Sequence, residues 1–153
     1  MKKLLCMLCV LLGLFTAGCG NDFAKKEYEA DQKIAAEADR YAKRDSVFNH
    51  VDGGYSLTVS KFDGRETLWT LNVEEACEIQ ISFDFQLTAG KAKIVHVDAA
   101  GNVTTLLECE PGSITDGAEE KTVALSEGKN RFKLVGYDCQ NVDLLMLSED
   151  IVW

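Results

Sequence analysis

Between residues 77 and 88, apolar and polar side chains alternate at every position. The apolar set is Cys77, Ile79, Ile81, Phe83, Phe85 and Leu87, and the polar set is Glu78, Gln80, Ser82, Asp84, Gln86 and Thr88. Because successive side chains of a strand point to opposite faces of a sheet, this alternation predicts a long strand with one buried face and one solvated face.

Shorter alternating segments surround this strand. They cover residues 55–61, 66–73, 91–98, 103–109, 121–125, 130–137 and 142–148. Turn-forming pairs such as Asp63-Gly64 and Ala89-Gly90 separate them, and residues 111–119 form the longest predicted connection. About eight short strands at this spacing predict an all-β fold, an antiparallel β-sandwich, with a barrel as the alternative.

Residues 22–45 have a different character, being rich in Ala and charged residues and free of Gly and Pro. Their thin apolar stripe, at helical spacing, consists of Phe23, Ala30, Ile34, Ala38 and Tyr41. This composition predicts a single helix. We interpret it as a solvated stalk, about 36 Å long at 1.5 Å per residue. The alternative is a helix that binds a partner or forms a coiled coil.

The first residues of the chain indicate export. Lys2 and Lys3 precede an apolar run over residues 4–15, which is too short to cross a bilayer. A positive start, a short apolar run and small residues at its end are typical of a secretory signal peptide.

The segment Thr16-Ala17-Gly18-Cys19 resembles the lipobox of bacterial lipoproteins, with Thr16 departing from the usual Leu. The resemblance implies that residues 1–18 are removed and that Cys19 is lipidated, with acyl chains such as palmitate anchoring it to the extracytoplasmic face of the cell membrane. The predicted organisation is therefore a signal peptide over 1–18, a lipidated stalk over 19–45 and a sandwich over 46–153.

Composition and charge narrow the classes of function. The chain has 153 residues, of which 46% are hydrophobic and 27% charged, as in an ordinary globular protein. Its net charge of −9 argues against nucleic acid as a partner, because phosphate binding needs clustered Lys and Arg. After processing, Cys77, Cys109 and Cys139 would remain, so at most one intramolecular disulfide can form. Their spacing fits no zinc site.

We find no nucleophile elbow, phosphate loop or metalloprotease helix, and we expect a protein that is not an enzyme and uses no cofactor or metal. His96 is in phase with Ala92 and Ile94, so we interpret it as a packed side chain rather than a ligand. Asp116, Glu119 and Glu120 lie in a loop that could hold calcium, but they lack the regular oxygen spacing of a calcium loop.

A possible ligand surface is predicted from residues out of phase with the core. Trp69, Phe83, Phe85 and Phe132 are in phase with aliphatic neighbours and are predicted to lie in the core. Tyr137 instead shares a face with Arg131 and Lys133. If their strand lies in the same sheet as the strand from Cys77, this face also contains Gln80, Ser82, Asp84 and Gln86.

Amide, carboxylate, guanidinium and phenol groups suit sugar hydroxyls and a pyranose ring, so this face predicts a glycan site. The alternative is an ordinary solvated sheet face. Phe62 and Trp153 are two further aromatic residues that the pattern leaves outside the core.

The stretch over residues 125–135, with Gly128, Lys129 and Asn130 leading into an alternating strand, resembles the closing strands of jelly-roll domains of the galactose-binding and carbohydrate-binding-module kind. The resemblance implies a jelly-roll-like sandwich and indicates a fold more than a ligand. The predicted function is a lipid-anchored, exported, non-catalytic binding module for carbohydrate or cell envelope. The alternative is a protein-interaction or structural subunit of a membrane-associated envelope complex.

Overall fold

A computed structural model describes residues 22–113 and 118–150. The described residues contain two short helices, α1 (Asp22–Glu27) and α2 (Asp31–Ile34). They also contain seven strands: β1 (Arg40–Val51), β2 (Gly54–Val73), β3 (Cys77–Gln86), β4 (Ala89–Val97), β5 (Val103–Cys109), β6 (Glu119–Leu125) and β7 (Gly128–Leu147). All strand pairs are antiparallel.

The two long strands β2 and β7 pair along their whole length, from Gly54 opposite Leu147 to Val73 opposite Gly128. The pairing register shifts between Phe62 and Gly64, and the two halves of this ribbon have different neighbours. The half containing 54–62 and 139–147 joins β1, β3 and β6, which we call the first layer. The half containing 64–73 and 128–136 joins β4 and β5, which we call the second layer.

The hydrophobic side chains of both layers form one core. Ile79, Ile81, Phe83 and Phe85 of β3 are all buried there, which confirms the alternation read from the sequence. Trp69 and Phe132 of the second layer are buried opposite them, as predicted. Phe62, which the sequence left outside the core, is fully buried at the bend of the ribbon, so that interpretation was wrong.

The predicted turn at Asp63-Gly64 lies inside the continuous strand β2. Gly64 has a positive φ of 111°, and a Cβ at this position would collide with the backbone of β1 at Arg40. A glycine is needed here because β1 passes so close to the ribbon. The pair Asp63-Gly64, which predicts a turn, therefore marks a bend in β2 and the close approach of β1 to it.

The prediction of a single helix over residues 22–45 is wrong. Helices α1 and α2 are short, and the strand β1 already begins at Arg40 and runs through Ser46. Residues 22–39, which we call the N-terminal strap, lie across the outer surface of the second layer, where Tyr28 and Ile34 pack on Val95, Val97 and Val135. Packing on an existing sheet overrides the helical preference of an Ala-rich segment.

The all-β antiparallel sandwich predicted from the sequence is confirmed. Within residues 22–113 and 118–150, no helix is long and apolar enough to cross a membrane. The signal peptide, the lipidation site Cys19, loop residue Asp116 and the terminal Trp153 lie outside the described residues.

Candidate functional site

The outward surface of the first layer, which we call the open face, carries mainly polar side chains, together with Leu145 and Leu147 of β7. Along β3 the buried residues alternate with outward-facing Gln80, Ser82, Asp84 and Gln86. Asp143 of β7 is paired with Gln86, and it is exposed. The open face is therefore a solvated, hydrogen-bonding surface that the strand alternation of a sandwich produces directly.

A first hollow of about 500 Å³ lies at one end of the open face. Its polar lining consists of Gln80, Ser82, Glu120, Ser148, Glu149 and Asp150. The backbone N–H of Gln80 donates to Asp150 Oδ2 at 2.6 Å, which ties the segment after β7 to β3. The Gln80 side-chain amide donates to Thr122 Oγ1 at 2.7 Å. The bond to Thr122 orients the Gln80 side chain through its amide nitrogen, and the amide oxygen can accept a hydrogen bond from a ligand.

A second hollow, of about 340 Å³, lies on the same layer beside β1. Its polar lining consists of Asp45, Thr58, Ser60, Asn141 and Asp143. The hydroxyl of Ser60 lies 2.9 Å from Asp45 Oδ2 and 3.0 Å from the carbonyl oxygen of Arg44, and it can donate its single hydrogen to either acceptor. The two hollows together offer hydroxyl, amide and carboxylate groups.

Asp84 and Gln86 lie along β3 beyond the first hollow, where the Gln86 amide donates to Asp84 Oδ1 at 3.2 Å. The residues given above as lining either hollow include no aromatic ring. The open face can thus hydrogen-bond to a polyol through three predicted residues, Gln80, Asp84 and Gln86, and the described residues of these hollows supply hydrogen-bonding groups rather than a stacking ring.

The other half of the predicted ligand surface lies on the opposite side of the sandwich. Residues 131–137 of β7 pair with β2 and β4, whereas β3 pairs with residues 143–147. Arg131, Lys133 and Tyr137 therefore belong to the outer surface of the second layer, and the predicted face that joins them to Gln80 does not exist. The ribbon bends after Tyr137, where Asp138 adopts a positive φ of 53°, and sequence alternation cannot reveal such a bend.

The strap covers these three residues, so the prediction that Arg131 and Lys133 are solvated is also wrong. The Arg131 guanidinium donates to the carbonyl oxygens of Ala35 at 2.7 Å and Ala36 at 3.0 Å. The Lys133 ammonium, with 0% of the residue exposed, donates to the Ala36 carbonyl at 2.8 Å and to Asp39 at 3.0 Å. The Tyr137 ring makes an edge contact with Tyr28 of the strap at 5.1 Å.

Burial and pairing shape the ionisation of this covered surface. Burial outweighs the attraction of Asp39 and lowers the pKa of the Lys133 amine below its ordinary value. Burial by itself would raise the pKa of Asp39, but hydrogen bonds from the Thr67 N–H and hydroxyl, with the Lys133 ammonium, bring that pKa below its ordinary value. Arg65 pairs with Glu27 of the strap in the same way. The cations of this surface are thus partnered by the strap.

Sequence reasoning missed an aromatic cluster on the first hairpin. Phe48, His50 and Tyr55 lie together where β1 turns into β2, with ring centroids 5.0 Å apart for Phe48 and Tyr55 and 4.5 Å apart for His50 and Tyr55. The sequence did contain a signal for this hairpin, because residues 47–51 lead directly into the turn-forming pair Asp52-Gly53. In the structure, the strand pairing then places His50 opposite Tyr55. Assigning the preceding residues to a helix concealed the strand.

The remaining candidate residues have structural roles. His96 is buried, as predicted, with Nε2 at 2.9 Å from Asn130 Oδ1 and its ring stacked on Phe132. Cys77 is exposed and Cys109 and Cys139 are buried, and all three are free thiols. Burial raises the pKa of Cys139 to about 12. No group of three metal-ligating side chains occurs among the residues that the structure describes.

No protein-family model matches this sequence, and no curated protein matches it. Similar solved structures include the carbohydrate-binding module CBM6cm-2 from Cellvibrio mixtus lichenase 5A in complex with cellotriose, with a TM-score of 0.41 and 14% identity over 71% of this chain and 87% of the module. A family 35 carbohydrate-binding module from Clostridium thermocellum has a TM-score of 0.36 and 18% identity over 69% of this chain and 89% of the module.

An exo-β-1,3-galactanase from Phanerochaete chrysosporium also matches, with a TM-score of 0.39 and 10% identity over 74% of this chain. The match spans only 29% of that enzyme. Similarity at these scores carries no conclusion about the ligand or activity of this chain.

Proposed function

We propose that this protein is a non-catalytic carbohydrate-binding protein and that its ligand lies along the open face. The observation that supports this most directly is the pair of hollows on that face, both lined by hydroxyl, amide and carboxylate groups. Such groups match the paired donors and acceptors of sugar hydroxyls. Both hollows have volumes in the range of small-molecule sites, about 300–1,000 Å³.

The negative charge of the open face indicates which class of carbohydrate would bind there. Glu120, Glu149 and Asp150 line the first hollow, and Asp45 and Asp143 line the second. Since carboxylates repel anionic ligands and accept hydrogen bonds from hydroxyl or ammonium groups, we propose a neutral or amino sugar rather than a uronic acid or a sulfated polymer.

The test is binding of the full chain, purified in detergent, to an array of neutral, amino and acidic polysaccharides. Gln80→Ala and Asp143→Ala should each weaken binding to the preferred neutral or amino sugar by about tenfold, because each removes a directed hydrogen bond. Gln32→Ala is the matched control, since Gln32 is an exposed glutamine in the strap, on the opposite side of the sandwich. A folded chain that binds no polysaccharide would refute the proposal, and so would equal losses in all three variants.

We also propose that the mature protein is exported and anchored to the membrane through lipid on Cys19. The sequence Thr16-Ala17-Gly18-Cys19 supports this. Mass spectrometry of the cell-derived protein should find an acylated N-terminal Cys19, and Cys19→Ser should release the protein from the membrane fraction. An unprocessed N-terminus in the native protein would contradict this part of the proposal.

A further inference from the structure

Strand β1 is an edge of the first layer. In the strand order β1-β2-β7-β3-β6 it comes first, and among the described residues it pairs with β2 alone. Alternate residues of a strand direct their N–H and C=O groups to opposite sides. Half of the backbone polar groups of β1 are therefore directed away from β2, toward the free edge.

The two halves of this edge differ in how they are protected. The first half carries Arg40, Lys43 and Arg44, and Asp45 interrupts its regular geometry with a positive φ of 47°. Charged side chains and local distortions are the usual devices that keep an edge strand from pairing with another chain. These features disfavour pairing of the first half of β1 with another strand.

The second half, residues 46–51, contains no Asp, Glu, Lys or Arg and no Pro. It also exposes two of the three large hydrophobic side chains that the described residues leave accessible, Val47 at 53% and Phe48 at 41%. Its pairing with β2 is regular from Ser46 to Val51. An uncharged, regular edge with exposed apolar side chains on both of its faces is suited to pairing with another strand.

We infer that this half of β1 pairs with the same segment of a second copy of the chain, antiparallel, with the Phe48 residues of the two copies directly opposite each other. Charge complementarity selects this occupant and this register. In an antiparallel pair centred on Phe48, Arg44 of each copy comes to the level of Asp52 of the other, which is the first residue of the turn after β1. The symmetric pair therefore brings groups of opposite charge near each other at its two ends and places no charge at its centre.

The inference does not depend on what the open face binds, because β1 pairing uses the free backbone edge, and Asp45 is the only β1 residue among the described residues that line the two hollows. A failure of carbohydrate binding would leave it intact, and a monomeric chain would leave the carbohydrate proposal intact. Because each copy carries a net charge of −9, two copies repel each other in general. The pairing should consequently strengthen as salt screens that repulsion.

The first experiment is a charge swap in the full chain, purified in detergent and studied by sedimentation equilibrium. Arg44→Asp places two acidic pairs at the ends of the paired strands and should weaken the dimer by about tenfold. Arg44→Asp combined with Asp52→Arg restores both pairs of opposite charge and should restore the dimer. A chain that stays monomeric at about 0.5 mM overturns the inference, as does a double variant no better than Arg44→Asp.

The second experiment tests the register with Phe48→Cys in a Cys77→Ser background, which removes the exposed native thiol. Mild oxidation should link two copies through residue 48, as mapped by mass spectrometry of the peptides. Thr58→Cys in the same background is the control, because Thr58 is exposed in β2 between β1 and β7. Equal cross-linking at both positions, or β1 cross-links only to a different protein in cells, would overturn the inference.

Discussion

Replacing Ile34 by Ala tests whether the N-terminal strap belongs to the folded domain or is a free spacer. Ile34 is fully buried against Val95, Val97 and Val135. The substitution removes three carbon atoms, and at about 0.8 kcal/mol per buried methylene the transfer loss is about 2.4 kcal/mol. The cavity that remains brings the expected loss of unfolding free energy to about 3 kcal/mol.

Urea unfolding, followed by the fluorescence of the buried Trp69, measures this loss. For a slope of about 1.5 kcal/mol/M, the midpoint of Ile34→Ala should fall by about 2 M. Trypsin cleavage after Lys33 should also become faster, because a loosened strap exposes its backbone. Gln32→Ala, an exposed neighbour in the same helix that leaves the Lys33 cleavage site intact, should change stability by no more than about 0.5 kcal/mol. If Ile34→Ala behaves like this control in both assays, the strap does not pack as described.

Three further outcomes follow from the structure. The lowered pKa of Asp39 means that its ionised form stabilises the fold above the ordinary aspartate pKa, about 3.9, and that this contribution is lost as the pH falls. Thermal melts of Asp39→Asn should therefore depend less on acid than those of the parent protein. Residue-mapped alkylation at pH 8 should label the exposed Cys77 and spare Cys139, whose buried thiol has a pKa of about 12. Gly64→Ala should cost more than about 2 kcal/mol in thermal unfolding, because its Cβ meets backbone, whereas Gly101→Ala, also at positive φ but in open space, should cost less.

Each outcome has a clear contrary result. An acid profile unchanged by Asp39→Asn would mean that the bonds to Thr67 and Lys133 do not stabilise the strap. Labelling of Cys139 as fast as that of Cys77 would place its thiol at the surface. Equal costs for the two glycine variants would mean that β1 does not approach the ribbon at Gly64.

The sequence predicted the sandwich because a period of two depends on burial at each position, which strands such as β3 record directly. It failed over residues 22–45, where Ala and ion-pair spacing favour a helix locally and only the presence of a sheet to pack on reveals the strap. Only the β3 residues of the candidate site could be predicted from the sequence, for a related reason. Gln80, Asp84 and Gln86 face outward by alternation, but which strand lies beside them depends on the bend after Tyr137, and alternation is the same on both sides of that bend.

If Cys19 carries the proposed lipid, the strap also limits how far the sandwich can stand from a membrane. A helical stalk would have held it about 36 Å from the bilayer. With residues 22–39 laid along the second layer, only three peptide steps separate Cys19 from Asp22, and a fully extended chain spans at most about 11 Å over that distance. A lipid on Cys19 would therefore hold the domain at the bilayer surface. The domain would then reach only ligands that lie within about one domain diameter of the membrane.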